Sequence, residues 1–94
     1  MPTFIMALTI NPNAKKHQPE FSQHVTDSLD RFAANNLKVQ HLFATLGRYD
    51  YVAIFAAEDQ TTAFKVATQI NNLGILETET WPVIDYDDYS QLLK

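Results

Sequence analysis

Few residues in this 94-residue sequence are equipped for chemistry. His41 is the one histidine inside a strand-like segment, and its intrinsic pKa suits a general base. Arg48, Tyr49 and Asp50 follow Gly47 in a short turn, where a guanidinium could hold an anionic ligand at a pocket mouth. Glu77, Glu79 and Trp81 alternate, so in a strand they share a face. Two carboxylates at that spacing can polarise a substrate or share a proton. The single Trp81 can stack on a planar ligand, and Tyr49, Tyr51 and Phe55 can line an aromatic pocket of the kind that cofactor-free oxygenases use.

Each of these residues also has an ordinary structural explanation. Gly47 supplies a turn conformation, Asp50 bonds turn amides and Tyr49 packs against a helix. His41 is a hydrogen-bonded, partly buried side chain. Glu77 and Glu79 form the solvent side of an edge strand, where charge discourages aggregation. Trp81 anchors an interface, and the aromatic cluster is core or interface.

Composition removes whole classes of chemistry. There is no cysteine, hence no disulfide, thiolate metal site, iron–sulfur cluster or cysteine nucleophile. Two glycines cannot build a dinucleotide fingerprint or a P-loop. Ser22, Ser28 and Ser90 lack a matching His and Asp arrangement for a hydrolase triad. His17 and His24 are not spaced with His41 as metal ligands would be, so neither a metal nor a cofactor is expected.

Charge narrows the partners. Seven basic residues against eleven acidic ones give a net charge of −4. Residues 1–49 carry five basic and three acidic groups, a net of +2, and residues 50–94 carry two and eight, a net of −6. The cations Lys15, Lys16, Arg31, Lys38 and Arg48 are scattered, and nucleic-acid binding needs them clustered. The apolar run from Phe4 to Ile10 is too short to span a bilayer. With no leader-like n-region, the expectation is a cytoplasmic protein that engages neither membrane nor nucleic acid.

The elements that must position these residues follow from periodicity. Thr3 to Ile10 alternates as a strand and is apolar on both sides, as expected of a central strand. Asn11-Pro12-Asn13 breaks it, and a polar loop runs over 14–18. Pro19 and Glu20 open a helix whose stripe is Phe21, Val25, Leu29, Phe32 and Ala33, closed by Asn35-Asn36. Strands over 37–46 and 51–57 flank the hairpin at 47–50. Asp59 caps a helix over 60–72 with Ala63, Val66, Ala67 and Ile70 buried, and Gly74 stops it. A strand over 75–84 is demoted to an edge by Pro82. Asp85 then caps a terminal helix expected to bury Tyr89, Leu92 and Leu93.

The order is βαββαβ with a short C-terminal helix: one α+β, ferredoxin-like domain over residues 1–94, a four-stranded antiparallel sheet with two helices on one face. Hairpin parity divides the middle strands into two faces. Val39, His41, Phe43, Val52 and Ile54 make the better core. Lys38, Gln40, Leu42, Ala44, Tyr51, Ala53 and Phe55 resemble a face that meets a partner or ligand. Ile5 and Ala7 join Tyr51 and Phe55 on that uncovered face, and so large an apolar surface implies an interface, most simply a two-fold dimer.

Gly47-Arg48-Tyr49-Asp50-Tyr51-Val52 resembles the Gly-x-Tyr-Asp-x-Val signature of the GYD domain family. The opening Met-Pro-Thr-Phe-Ile, Glu58-Asp59, and Gly74 followed by Thr78-Glu79-Thr80 are similar to that family's pattern, so the resemblance covers nearly the whole chain. It implies a dimeric α/β barrel and assigns no activity. Wider relatives of that barrel include cofactor-independent monooxygenases, lactone isomerases, haem chlorite dismutases and ligand-sensing regulator domains, a breadth that separates fold from function.

The expected function is an oligomeric small-molecule binding or sensing module. Its ligand-binding candidates are His41, Arg48, Tyr51, Phe55, Glu79 and Trp81, with Gly47, Tyr49 and Asp50 as the turn motif. Two alternatives stand beside it: a cofactor-independent oxygenase or isomerase using His41, Tyr51 and Trp81, and a purely structural homo-oligomer.

Overall fold

The structure is a computed structural model and describes residues 1–14 and 19–94. Lys15, Lys16, His17 and the rest of the expected polar loop after Ala14 lie outside the described residues.

Strand β1 spans Thr3–Ile10, and the first helical region divides into α1, Phe21–Leu29, and α2, Arg31–Ala34. Strands β2, Val39–Ala44, and β3, Tyr51–Ala56, form the hairpin. Helix α3 spans Gln60–Asn72, β4 spans Leu76–Val83 and α4 spans Tyr86–Leu92. The sheet order is β2-β3-β1-β4, antiparallel at every contact. β1 is therefore interior and β2 and β4 are the edges, Pro82 included. Its backbone pairs on both sides, which fits its apolar character on both faces.

Local chemistry sets the helix ends. The Asp59 carboxylate accepts from both the backbone N–H and the hydroxyl of Thr62, each at 2.8 Å. The backbone bond first, then the hydroxyl, holds this carboxyl below the usual range, so the cap favours the fold above ordinary carboxylate pKa values and is lost as pH falls through the lowered one. The first helical region ends at Asn36, in the left-handed region at φ 60°, and α3 is followed by Gly74 at φ 81°. Asn71 at the end of α3 binds Thr78 twice, accepting from its N–H and donating to its hydroxyl, both at 2.9 Å. This pair fixes α3 against β4.

The core lies between the helices and one sheet face. Phe4, Met6 and Leu8 of β1 meet Ala53 and Phe55 of β3, Phe32 of α2, Ala63, Val66 and Ile70 of α3, and Leu76 of β4. Phe55 is fully buried, stacked on Phe4 at 5.6 Å and edge-on to Phe32 at 5.1 Å. This reverses the expected faces of β2 and β3, while Ile5 and Ala7 of β1 lie on the open side as expected. Ala53 and Phe55 belong to the helix-covered core, with Tyr51 packed against it, and His41, Phe43, Val52 and Ile54 lie on the other side. Hairpin parity sorts these residues correctly into two sets. The choice between the sets depends on which residues align with Phe4, Met6 and Leu8, and that is decided by the non-local β1–β3 register. An irregularity between Val39 and His41 also returns Val39 to the core side.

The terminal helix differs too. Asp85 accepts from the N–H of Asp87 at 3.2 Å, as a cap should, but α4 buries none of its residues, and Tyr89, Leu92 and Leu93 all stand exposed.

Phe55 sits where both aromatic contacts of the core converge. Phe55→Ala is expected to cost about 3–5 kcal/mol of unfolding free energy, measured by urea denaturation followed by circular dichroism.

Candidate functional site

Strand register builds the open sheet face row by row. One row runs His41, Ile54, Ile5, Trp81 across β2, β3, β1 and β4. The next runs Phe43, Val52, Ala7, Glu79. Among the described residues no helix covers this face. Phe43 is 52 % exposed and Trp81 38 %, with Ile5, Val52 and Ile54 half-buried between them. Both rows pass from apolar interior strands to polar or aromatic groups at the edges.

The hairpin folds back over this surface. The Tyr49 hydroxyl donates to Glu79 Oε2 at 2.7 Å, so the side chain crosses above β1 to reach β4. Its ring meets Trp81 edge-on with centroids 6.0 Å apart, and the Arg48 guanidinium sits 5.8 Å from the centroid of the Tyr49 ring. Four candidates thus come together as one cluster: Arg48, Tyr49, Glu79 and Trp81. The expected packing of Tyr49 against a helix is replaced by this contact with β4.

The Glu79 bond is the leading cause that raises the Tyr49 phenol above its ordinary value near 10, ahead of partial desolvation and the Glu79 charge, with Arg48 opposing. A phenol raised by folding favours the fold below its unfolded pKa and ceases to as pH rises through the raised one.

Asp50 reaches much further than a turn. Its Oδ2 accepts from the N–H of Ile10 at 2.8 Å, its own N–H donates to the Leu8 carbonyl at 2.9 Å, and its carbonyl accepts from the N–H of Thr45 at 2.9 Å. The side chain extends the β1–β3 pairing by one further bond. The Thr45 hydroxyl closes the loop by donating to the Tyr49 carbonyl. Gly47 lies outside the left-handed region, and a Cβ there would meet only the Thr45 hydroxyl, at 4.0 Å. Neither turn conformation nor crowding within this chain requires glycine at this position.

The remaining candidates are dispersed. His41 stands exposed on β2, stacked on Phe43 at 5.7 Å, three strands from Trp81, or about 14 Å at ordinary strand spacing. Tyr51 and Phe55 are on the opposite side of the sheet, against the helices. No group of three or more His, Cys, Asp and Glu able to hold a metal occurs among the described residues. Among them, no helix is long and apolar enough to cross a membrane. Phe43 and Ile54, expected in the core, lie on the open face instead, whereas Ile5 lies there as expected. The signal that could have placed Phe43 and Ile54 is the alternation of β1 itself, whose even positions are the bulkier set.

Three outcomes are expected. Glu79→Gln brings the Tyr49 phenol back towards its ordinary pKa, seen as a lower midpoint in the ultraviolet titration of the tyrosines. Within the signature turn, Asp50→Ala orphans the Ile10 N–H and costs about 1–2 kcal/mol, whereas Gly47→Ala leaves the denaturation midpoint nearly unchanged.

Comparison with known proteins places this geometry. A Thermus thermophilus protein named glutamine synthetase and cystathionine beta-lyase binding protein is 30 % identical over 97 residues, covering 100 % of this chain and 100 % of its own. A feast or famine regulatory protein of M. tuberculosis, solved in complex with L-methionine, superposes with a TM-score of 0.61 at 10 % identity, over 90 % of this chain and 51 % of its own. A second Thermus thermophilus protein of known structure gives 0.61 at 23 % identity, over 90 % of this chain and 95 % of its own. The chain spans about half the length of the regulators it matches, and these likenesses concern the fold. A family model, the GYD domain, matches residues 4–93. With its signature turn built around Asp50 and its match running nearly end to end, the chain belongs to the GYD domain family.

Proposed function

We propose that this chain is a non-catalytic binding module that self-associates through its open sheet face and docks in that form on a client enzyme. The carrying observation is the face itself: Ile5, Val52, Ile54, Phe43 and Trp81 form a continuous apolar surface with no helix over it among the described residues. Such surfaces are interaction sites, and a two-fold pairing, giving a dimeric α/β barrel, covers it with the fewest new contacts. The client is proposed from the relative of equal length, which is named for binding glutamine synthetase and cystathionine beta-lyase. A cytoplasmic setting suits both the cysteine-free chain and clients of that kind.

A second reading, small-molecule sensing, is favoured by the cluster at the hairpin. Arg48, Glu79 and the rings of Tyr49 and Trp81 offer a cation, a carboxylate and an apolar wall within one contact network. That set suits a free α-amino acid, the class of ligand carried by the methionine-bound regulator of the same fold. An oxygenase or isomerase built on His41, Tyr51 and Trp81 has less support. Those three side chains are divided between two faces and two opposite edges of the sheet.

Ile54 is central to the open face. Ile54→Lys is expected to convert the assembly to monomers in native mass spectrometry while circular dichroism stays unchanged, and to abolish retention on immobilised glutamine synthetase or cystathionine beta-lyase. A wild-type chain that is monomeric at micromolar concentration would overturn the reading.

A further inference from the structure

Strand β4 turns a row of backbone groups away from the sheet. The Asn11 N–H donates to the Ile75 carbonyl at 2.8 Å, and Ile10 pairs with Leu76, so Ile75 directs its backbone groups at the first strand. That direction alternates along a strand. Leu76, Thr78, Thr80 and Pro82 therefore direct theirs outwards. Thr78 agrees, since its N–H donates to Asn71 of α3 and not to β1. Pro82, with no N–H to leave unpaired, suits the same row.

Thr78 and Thr80 are two instances of one arrangement. Their side chains share the helix side of the sheet, opposite Leu8 and Met6 of β1, and their N–H groups share the outer edge. At Thr78 a carboxamide answers both polar groups. Asn71 Oδ1 accepts from the N–H and Asn71 Nδ2 donates to the hydroxyl, each at 2.9 Å. At Thr80 the hydroxyl is enclosed and has no partner among the described residues, and no strand lies beyond β4 among them. The reason is found on α3. Thr80 lies about 6.6 Å along the strand from Thr78. One helical turn back from Asn71, about 6 Å along the axis, stands Ala67. Its methyl group cannot do for Thr80 what the Asn71 amide does for Thr78.

Ala67 and Thr80 both line a cleft of about 370 Å³ between α3 and β4. Phe4, Phe64 and Pro82 give it apolar walls, and no residue lining it is charged. A carboxylate or ammonium would be desolvated there without a counter-charge. A full extended strand does not fit the edge either, because Asn71 holds the Thr78 N–H and Pro82 has none. The position left open is one residue long.

The geometry points to this cleft as a binding site for a small neutral carboxamide carried on an apolar ring. The ligand carbonyl accepts from the Thr80 N–H, and the ligand N–H donates to the Thr80 hydroxyl, repeating the Asn71 pairing one step along β4. The hydroxyl meets it by turning about χ1 to another staggered position, and gives up no bond in doing so. The ring lies between Phe64 and Pro82. This site is on the helix side of the sheet and does not depend on the pairing of open faces proposed above.

Benzamide is the probe, and benzoate, equal in shape but charged and without the donor, is its control. Added at millimolar concentration to the nitrogen-15-labelled chain, benzamide is expected to shift the Thr80 amide resonance saturably and benzoate to leave it in place. Thr80→Val keeps the shape and removes the hydroxyl. It is expected to weaken benzamide about tenfold and to raise the denaturation midpoint, because an enclosed hydroxyl without a partner is destabilising. Ala67→Asn supplies the carboxamide from the chain itself and is expected to abolish the response. The absence of a saturable shift at Thr80, an equal shift with benzoate, or undiminished benzamide binding by Thr80→Val overturns the site. The native mass of the wild-type chain tests the open-face pairing separately.

Discussion

The governing constraint is that the sheet has two apolar faces and, among the described residues, helices for only one. β1 alternates Phe4, Met6 and Leu8 with Ile5 and Ala7, and β3 alternates Ala53 and Phe55 with Val52 and Ile54. Either set could serve as a core. The bulkier β1 set, aligned with Phe55, takes the helices, and the reverse side has no helix over it among the described residues. An apolar sheet face in water loses the favourable transfer energy that burial gives, about 25 cal/mol for each Å² left wet. The reading of this protein as a self-associating module follows from that imbalance.

The hairpin shows how a short signature serves two faces at once. Asp50 works along the sheet, using its carboxylate to mend the end of the β1–β3 pairing. Tyr49 works across the open side and ties the loop to Glu79 of β4. The loop between β2 and β3 is thereby anchored to both other strands. A turn that only reversed the chain would need neither residue. Gly47 is not required by any contact or backbone conformation among the described residues.

What could be read from the sequence follows the range of each interaction. The α3 helix, its Asp59 cap and the Gly74 stop depend on neighbours within a few residues, and all are present as expected. The edge position of β4 follows from Pro82, and the alternation of β1 gives its interior place. The open side of β1 was legible at Ile5 and Ala7, but the core face of β2 and β3 was not, because the deciding register joins residues some fifty positions apart and both candidate faces are apolar. Asp50 was assigned to its own turn for the same reason, its partner Ile10 being forty positions away. The burial expected of Tyr89, Leu92 and Leu93 was inferred from the apolar pattern alone, and α4 buries none of its residues.

The strand order has a kinetic side. β2 and β3 are joined by a short hairpin and can pair as soon as both exist, whereas β1 is flanked by β3 and β4 and receives its second neighbour only from the last quarter of the chain. Loops of that length close slowly, and folding rates fall as contacts become more distant in sequence. Until β4 arrives, one full edge of the most apolar strand is open to any passing strand. The earliest strand is thus the last to be completed, and the interval before its closure is when the chain is most exposed to misassembly.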